Sequence, residues 1–521
     1  MKEILLGCEA VALGALHAGI SAAFSYPGTP STEILEYLQN KKEKYSINAE
    51  WCSNEKTAYE AALGVSFAGR RALVSMKHVG LNVAMDPFVN SAISGVKGGL
   101  VIAVADDPGM HSSQNEQDSR YLADFAKVFV FEPADAQEAY DMTIKAFDVS
   151  EKFGLPVMIR LVTRVSHTRE VVTTTEPRAQ NNLDKKMPCK EWVLLPGNAR
   201  QQFKKLLEKQ KGLLQESEAS AFNKVITKKA SSCAVCSGVA FNYFFEVTLG
   251  KMPCFKVSTY PLPIGKIKKF AKSFKKIYVF EEGYPFLEEK LQSLLPGKKI
   301  IGKLSGDVQS TGELNCEIVK KALGKKLVQG KKLSIELPPR PPQPCVGCPH
   351  VDLYKALNEA KGSAEVMVFG DIGCYTLGAL EPLKAIGSCI CMGASVNNAR
   401  GASIGGATPA VAIIGDSTFA HSGIPALVEA AKHNNNMVLI ILDNGTVAMT
   451  GTQETMLSGE SLLQIILGAG VPKERIKIIE PLPQNHKLNV SIIREALNYK
   501  GLTVVISKRA CIQLLKRRQY G

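Results

Sequence analysis

Val411-Ala-Ile-Ile-Gly-Asp-Ser417 and Met437-Val-Leu-Ile-Ile-Leu-Asp-Asn-Gly-Thr446 decide the reading of this chain. Each opens with a run of strand-forming apolar residues and closes on a polar turn, and a helix-length segment separates them. In a parallel sheet the carboxyl ends of such strands share one edge, so Asp416 and Asn444 can converge on one ion there. A hard cation that bridges a diphosphate wants one carboxylate, one amide oxygen and a backbone carbonyl, with phosphate oxygens filling the remaining positions. An ordinary strand-helix-strand unit would use the same letters, because turns favour Gly, Asp and Asn on their own account.

The spacing of the two turns matches the signature of thiamine diphosphate enzymes, and the pair is read as a cofactor site. Gly415, Ser417 and Gly393 join Asp416 and Asn444 as cofactor-binding candidates. Such a coenzyme needs more than an anchor. Its reactive carbon is a weak acid, deprotonated by the ring's own amino group only when a carboxylic acid is held against the pyrimidine nitrogen. A separate domain should therefore carry one Glu. The candidate is Glu55 in Asn54-Glu-Lys-Thr-Ala-Tyr-Glu-Ala-Ala-Leu-Gly64, at the start of a small-residue helix. A Glu there serves equally as a first-turn dipole partner. Glu60, the rival carboxylate, sits a turn further on and would be more readily solvated.

At 521 residues the chain is too long for one core, and 45% hydrophobic content is globular. The fold class expected is α/β, with three doubly wound parallel-sheet domains. Residues 1–180 alternate helical and strand patterns, Leu100-Val-Ile-Ala-Val-Ala105 being a buried strand that ends at Asp106-Asp107. The opening residues, Met1 to Cys8, are read as the start of the first helix rather than a lipoprotein signal. Residues 181–337 hold a linker, a charged helix and a smaller α/β unit. Pro338-Pro-Arg-Pro-Pro-Gln-Pro344 marks the next boundary, and residues 345–521 hold the Asp416 and Asn444 pair.

The net charge of +14 gathers in Lys-rich stretches such as Lys266-Ile-Lys-Lys-Phe-Ala-Lys272, without the aromatic interleaving of a single-strand binder. A solvated basic face, or one that docks an acidic electron carrier, is expected instead, with no nucleic acid partner. No apolar run approaches the roughly 18 residues that span a bilayer, so a cytoplasmic protein with no membrane partner is expected. Thirteen cysteines in such a chain point to thiols or metal rather than disulfides.

Tyr26-Pro-Gly-Thr-Pro-Ser-Thr-Glu-Ile34, Met76-Lys-His-Val-Gly-Leu-Asn82, Asp106-Asp-Pro-Gly-Met-His-Ser-Ser-Gln-Asn-Glu-Gln-Asp118, Cys345-Val-Gly-Cys-Pro-His350 and Gly370-Asp-Ile-Gly-Cys-Tyr-Thr-Leu-Gly378 occur in this order. Together they resemble the large subunit of indolepyruvate ferredoxin oxidoreductases. The resemblance implies a pyrimidine-binding domain, a transketolase C-terminal-like domain and a diphosphate-binding domain. It implies oxidative decarboxylation of a 2-oxoacid, an arylpyruvate such as indolepyruvate, to acyl-CoA with electrons passed to ferredoxin. A non-oxidative decarboxylase or carboligase is the alternative. By motif match, Glu55 falls on the activating Glu, Asp416 and Asn444 on the Mg2+ ligands, and the Thr446 main chain on a third. Thr29 falls where related enzymes approach substrate and cofactor. His78 and His111 are polar contacts for a 2-oxoacid, although a lone His is more often structural.

Cys345 and Cys348 form a Cys-x-x-Cys in a loop, with Cys374 and Cys511 at later strand ends. Soft thiolates suit iron-sulfur chemistry, and related 2-oxoacid oxidoreductases carry a proximal 4Fe-4S cluster on similar spacing. Buried thiols or a zinc site would use the same residues. Cys233 and Cys236 lie on opposite faces of one strand and are read as core, and Cys389 and Cys391 as packing. The family usually continues into a ferredoxin-like module, which this sequence lacks. A small beta subunit and ferredoxin, or a separate ferredoxin-like subunit, are therefore the expected protein partners, with the 2-oxoacid and coenzyme A as small-molecule partners.

Overall fold

The computed structural model describes residues 1–187, 190–327 and 342–520, the side chains at 518 and 520 excepted. The chain separates into two compact units, Met1–Lys331 and Lys332–Gly521. Most of the Pro-rich stretch 338–344 lies outside the described residues.

In the first unit, uninterrupted apolar runs make the central strands of a seven-stranded sheet. Its order is Thr259–Tyr260, Phe129–Phe131, Val157–Val162, Leu100–Asp106, Ala72–Lys77, Ala22–Ser25 and Asn48–Trp51. All but the first are parallel to their neighbours. Both faces are covered by helices, which is why residues 100–106 are buried without alternation. Helix Gly7–His17 packs against helix Ala136–Phe153, and Gly14 lets them close: a Cβ there would stand 2.7 Å from the Tyr140 carbonyl oxygen.

The opening residues correct the sequence reading. Lys2–Leu6 form a strand, antiparallel to Arg169–Thr173, and the helix begins only at Gly7. The polar segment that begins at Arg169 thus starts as a sheet strand. It stays attached beyond it, with the Arg178 N–H donating to the His17 carbonyl and Asn181 to Glu151.

The second sheet of this unit runs Lys299–Ile301, Lys276–Phe280, Ser232–Ser237, Cys254–Val257 and Lys224–Ile226, the last antiparallel. Cys233 and Cys236 belong to different core clusters on its two faces, as strand alternation requires. The two sheets are joined in two ways. Thr259–Tyr260, after the second sheet's strand Cys254–Val257, pairs with the first sheet's edge at Phe129–Phe131. A buried ion network then bridges the strand ends. Arg160 donates to Asp106 (2.7 Å) and Glu132 (2.6 Å). Arg120 donates to Asp118, to the Glu282 carbonyl and to Ser237, and lies 3.0 Å from Glu281. Both guanidiniums are fully buried. Replacing Arg160 by methionine would leave Asp106 and Glu132 charged and dehydrated, so a loss of about 3–5 kcal/mol is expected, read by urea unfolding of the first unit.

The second unit is a five-stranded parallel sheet, ordered Val368–Phe369, Ala410–Gly415, Met437–Asp443, Leu502–Lys508 and Ile476–Ile479. The three central strands are apolar on both faces and enclosed by two core clusters. Gly415 pairs with Leu442, so the polar turns that follow the two strands emerge side by side. Among the described residues no helix is long and apolar enough to cross a membrane.

Candidate active site

In the second unit, Asp416 is the organising residue. It follows strand Ala410–Gly415 directly and is buried. Its Oδ1 accepts from the Ser417 N–H (2.7 Å), and its Oδ2 accepts from the N–H groups of Asn444 (3.2 Å) and Gly445 (2.7 Å). The two turns predicted to share an ion are therefore in direct contact. Asn444 turns its amide oxygen to the Thr446 N–H (3.0 Å), and one lone pair of that oxygen remains. Among the described residues no cation pairs with Asp416, and burial pushes its carboxyl up to about 7, with Asp443 adding to the effect. A buried carboxylate, an amide oxygen and main-chain carbonyls form a hard-oxygen donor set that fits a magnesium ion.

The helix after Asp416 is irregular: Phe419–Gly423 form a π-turn before the regular helix Ile424–His433. Such turns recur at functional sites. Gly393, at φ +80 before helix Ala394–Ile404, packs on this turn. A Cβ there would stand 2.6 Å from the Ser422 Cβ, so glycine is required both by conformation and by space.

Asp371 was not singled out from the sequence, although the motif Gly370–Gly378 contains it. It is fully buried, accepts from the Ser395 N–H (3.2 Å), the Ser395 hydroxyl (2.6 Å) and the Tyr375 hydroxyl, and burial pushes it up to about 6. It thereby ties the motif to the start of helix Ala394–Ile404. The Thr418 hydroxyl donates to the Ile372 carbonyl (3.0 Å), which braces the same motif against the Asp416 turn.

The four cysteines lie around this edge. Cys345 is exposed, Cys348 and Cys374 are half-buried and Cys511 is buried. The Cys348 N–H donates to the Cys345 carbonyl (3.0 Å), closing the Cys-x-x-Cys turn. Burial pushes the Cys374 thiol up to about 12, and Cys511, Cys348 and Cys345 all add to that rise, which places the four within electrostatic reach of one another. Among the described residues no three His, Cys, Asp or Glu groups are close enough to hold a single metal ion. The Cys511 N–H donates to the Asn444 carbonyl (3.1 Å), so this thiol's backbone is bonded to the turn beside Asp416. Cys389 and Cys391 carry thiols raised by burial, with the nearby Asp371 charge contributing.

In the first unit, Glu55 is the first residue of helix Glu55–Phe67 and is buried. Asn54 caps that helix, its Oδ1 accepting from the Thr57 N–H (2.9 Å). The Glu55 carboxyl lies against Gly80 in helix His78–Val83, where a Cβ would come within 2.4 Å of Oε1. Glu60 is exposed and paired with Lys56, as expected of a solvated rival. His78 is buried. Its Nε2 faces the Asn115 side-chain oxygen (3.2 Å), and among the described residues its buried Nδ1 has no hydrogen-bond partner. His111 is exposed and pairs with the half-buried Glu313 (3.1 Å). Thr29 stands in the turn after strand Ala22–Ser25, and its carbonyl accepts from the Ser112 hydroxyl (3.2 Å).

Two family models match the chain: "Pyruvate flavodoxin/ferredoxin oxidoreductase, thiamine diP-bdg" over residues 13–195, and "Thiamine pyrophosphate enzyme, C-terminal TPP binding domain" over residues 371–506. The second range contains the Asp416 and Asn444 turns, the first contains Glu55 and Thr29. Among curated relatives, indolepyruvate oxidoreductase subunit IorA of Archaeoglobus fulgidus is 38% identical, covering 99% of this chain and 87% of the relative. The subunit of the same name from Methanothermobacter thermautotrophicus is 37% identical over 98% of this chain and 87% of the relative. That of Pyrococcus horikoshii is 35% identical over 98% and 86%. With matches of this identity along nearly its whole length, the chain belongs to the indolepyruvate oxidoreductase IorA family of thiamine diphosphate-dependent proteins.

Proposed function

We infer that this chain is the large subunit of a thiamine diphosphate-dependent 2-oxoacid:ferredoxin oxidoreductase that acts on arylpyruvates such as indolepyruvate and forms acyl-CoA. The observation that carries the reading is the Asp416 carboxylate, buried with no cation partner among the described residues and bonded to the Asn444 turn, within a chain of this family. Bound thiamine diphosphate supplies a nucleophilic carbon and a sink for the electron pair released with carbon dioxide. Asp416, Asn444 and the Thr446 main chain would hold Mg2+ and, through it, the diphosphate. Gly415, Ser417 and Gly393 line that turn. Glu55 holds a proton for the pyrimidine nitrogen. Residues 1–180, 181–337 and 345–521 then serve as pyrimidine-binding, transketolase C-terminal-like and diphosphate-binding domains.

Cys345, Cys348, Cys374 and Cys511 fit a 4Fe-4S cluster. The support is that Cys345, Cys348 and Cys511 all act on the Cys374 thiol, and that soft thiolates suit iron-sulfur chemistry. Such a cluster would accept electrons one at a time for ferredoxin. A small beta subunit completes the enzyme, and coenzyme A takes the acyl group.

Anaerobic co-expression with the small subunit tests the reading. Brown protein with roughly four irons per large subunit, and ferredoxin reduction that requires both indolepyruvate and coenzyme A, are expected. Iron-free protein that releases aldehyde from a 2-oxoacid would establish the non-oxidative alternative instead. Gly80→Ala is expected to displace the Glu55 carboxyl and slow exchange of the coenzyme's acidic proton about 100-fold, with magnesium-dependent cofactor retention unchanged. Quenched-flow NMR of the exchange reads this directly.

A further inference from the structure

Lys77 is the last residue of strand Ala72–Lys77, on the carboxyl edge of the first sheet, and its side chain is buried. The stem runs beneath the turn Pro27-Gly28-Thr29. A Cβ on Gly28 would stand 3.1 Å from the Lys77 Cβ and 3.8 Å from its Cδ. The ammonium donates to the Ser112 carbonyl (2.6 Å) and reaches the Ser112 hydroxyl only at 3.5 Å, and that hydroxyl donates in turn to the Thr29 carbonyl. Lys77 and Thr29 are thus linked through one serine.

An ammonium has three N–H donors, and Ser112 firmly uses one. Among the described residues no carboxylate lies within ion-pair distance of Lys77. Asp107 is the charge that reaches it, but its oxygens are taken by the Ser112 N–H (2.9 Å), the Ser113 hydroxyl (2.5 Å) and the Thr163 hydroxyl (2.7 Å). Of the other buried cations, Arg120, Arg160 and Lys256 each have a carboxylate partner, while Lys303 donates to the Gly283 carbonyl. Burying a charge without one is costly, and here dehydration holds the ammonium down to about 8. A cation kept short of an anion, beside Thr29 and three residues before the Gly80 that meets Glu55, is a place for an anionic ligand.

We propose that Lys77 binds the carboxylate of the 2-oxoacid substrate. The assignment rests on the function proposed above and adds the group that selects acids. A carboxylate that leaves as carbon dioxide loses its charge on the way, so an ion pair to it is stronger in the ground state than in the transition state. Lys77 therefore acts on capture rather than on rate.

The test uses the assembled enzyme with its small subunit and thiamine diphosphate. Lys77→Met is expected to raise KM for indolepyruvate roughly 10- to 100-fold with kcat undiminished or raised, while Lys77→Arg retains most of the affinity. Inhibition by the neutral amide of indolepyruvate is expected to be unaffected by Lys77→Met, a discrimination that a merely structural lysine would not produce. Thiamine diphosphate retention checks that the variant is intact, and Lys77→Gln reads the same quantity by a second route. Unchanged KM in both variants, or equal weakening of acid and amide, overturns the assignment while the function stands. Wild-type enzyme that turns over no 2-oxoacid overturns the function and the assignment together.

Discussion

Asp416→Ala is expected to abolish magnesium-dependent retention of thiamine diphosphate. The substitution removes the carboxylate that would face the ion, and it also releases the Asn444 and Gly445 N–H groups, which then lose the oxygen that fixes their turn. Metal ligation and loop geometry fail together. Losing an outer-sphere partner already costs roughly 10- to 100-fold in metal affinity, so a larger effect is expected here. Equilibrium dialysis with and without magnesium measures it. Retention that is unchanged and still magnesium-dependent would remove Asp416 from the metal site.

The second large effect is expected at Glu55. Glu55→Gln keeps the shape beside Gly80 and the cap from Asn54, so cofactor binding should persist. What is lost is a group able to share a proton with the pyrimidine nitrogen, and general acid–base steps of this kind contribute roughly 100- to 10,000-fold. Exchange of the coenzyme's acidic proton is expected to slow by that order, with overall turnover following. Normal exchange in the variant would move the role to another carboxylate.

Much of this was legible in the sequence because the physics is local. Residues 410–415 and 437–442 are apolar at every position, which only a strand covered on both faces tolerates, and parallel neighbours necessarily place Asp416 and Asn444 at one edge. The helix that starts at Glu55 was legible for a similar reason, in its run of small helix-forming residues, and the structure adds the Asn54 cap. The rest depends on contacts distant in sequence. Thr259–Tyr260 is too short to carry a strand pattern, and its partner lies some way back at Phe129–Phe131. Lys2–Leu6 contains charged residues and an exposed Ile4, so nothing marks it as a strand until Arg169–Thr173 arrives to pair with it.

Charged residues misled most. Lys77 follows an apolar strand and reads as the point where the chain meets water, yet the turn at Gly28 and the loop at Ser112 cover it. Asp371 looks like any turn aspartate until Ser395 and Tyr375 close over it. In both cases burial is decided by segments elsewhere in the fold, which no local window contains.

The guanidinium clamp between the two sheets of the first unit has a mechanical consequence. Dehydrated charges tolerate almost no sliding, because a shift of a few ångströms would part Arg120 from Glu281 and from the Glu282 carbonyl and leave Glu281 stranded in an oily seam. These two sheets therefore travel as a single plate. Any breathing that lets an acid enter or a thioester depart has its pivot outside that seam.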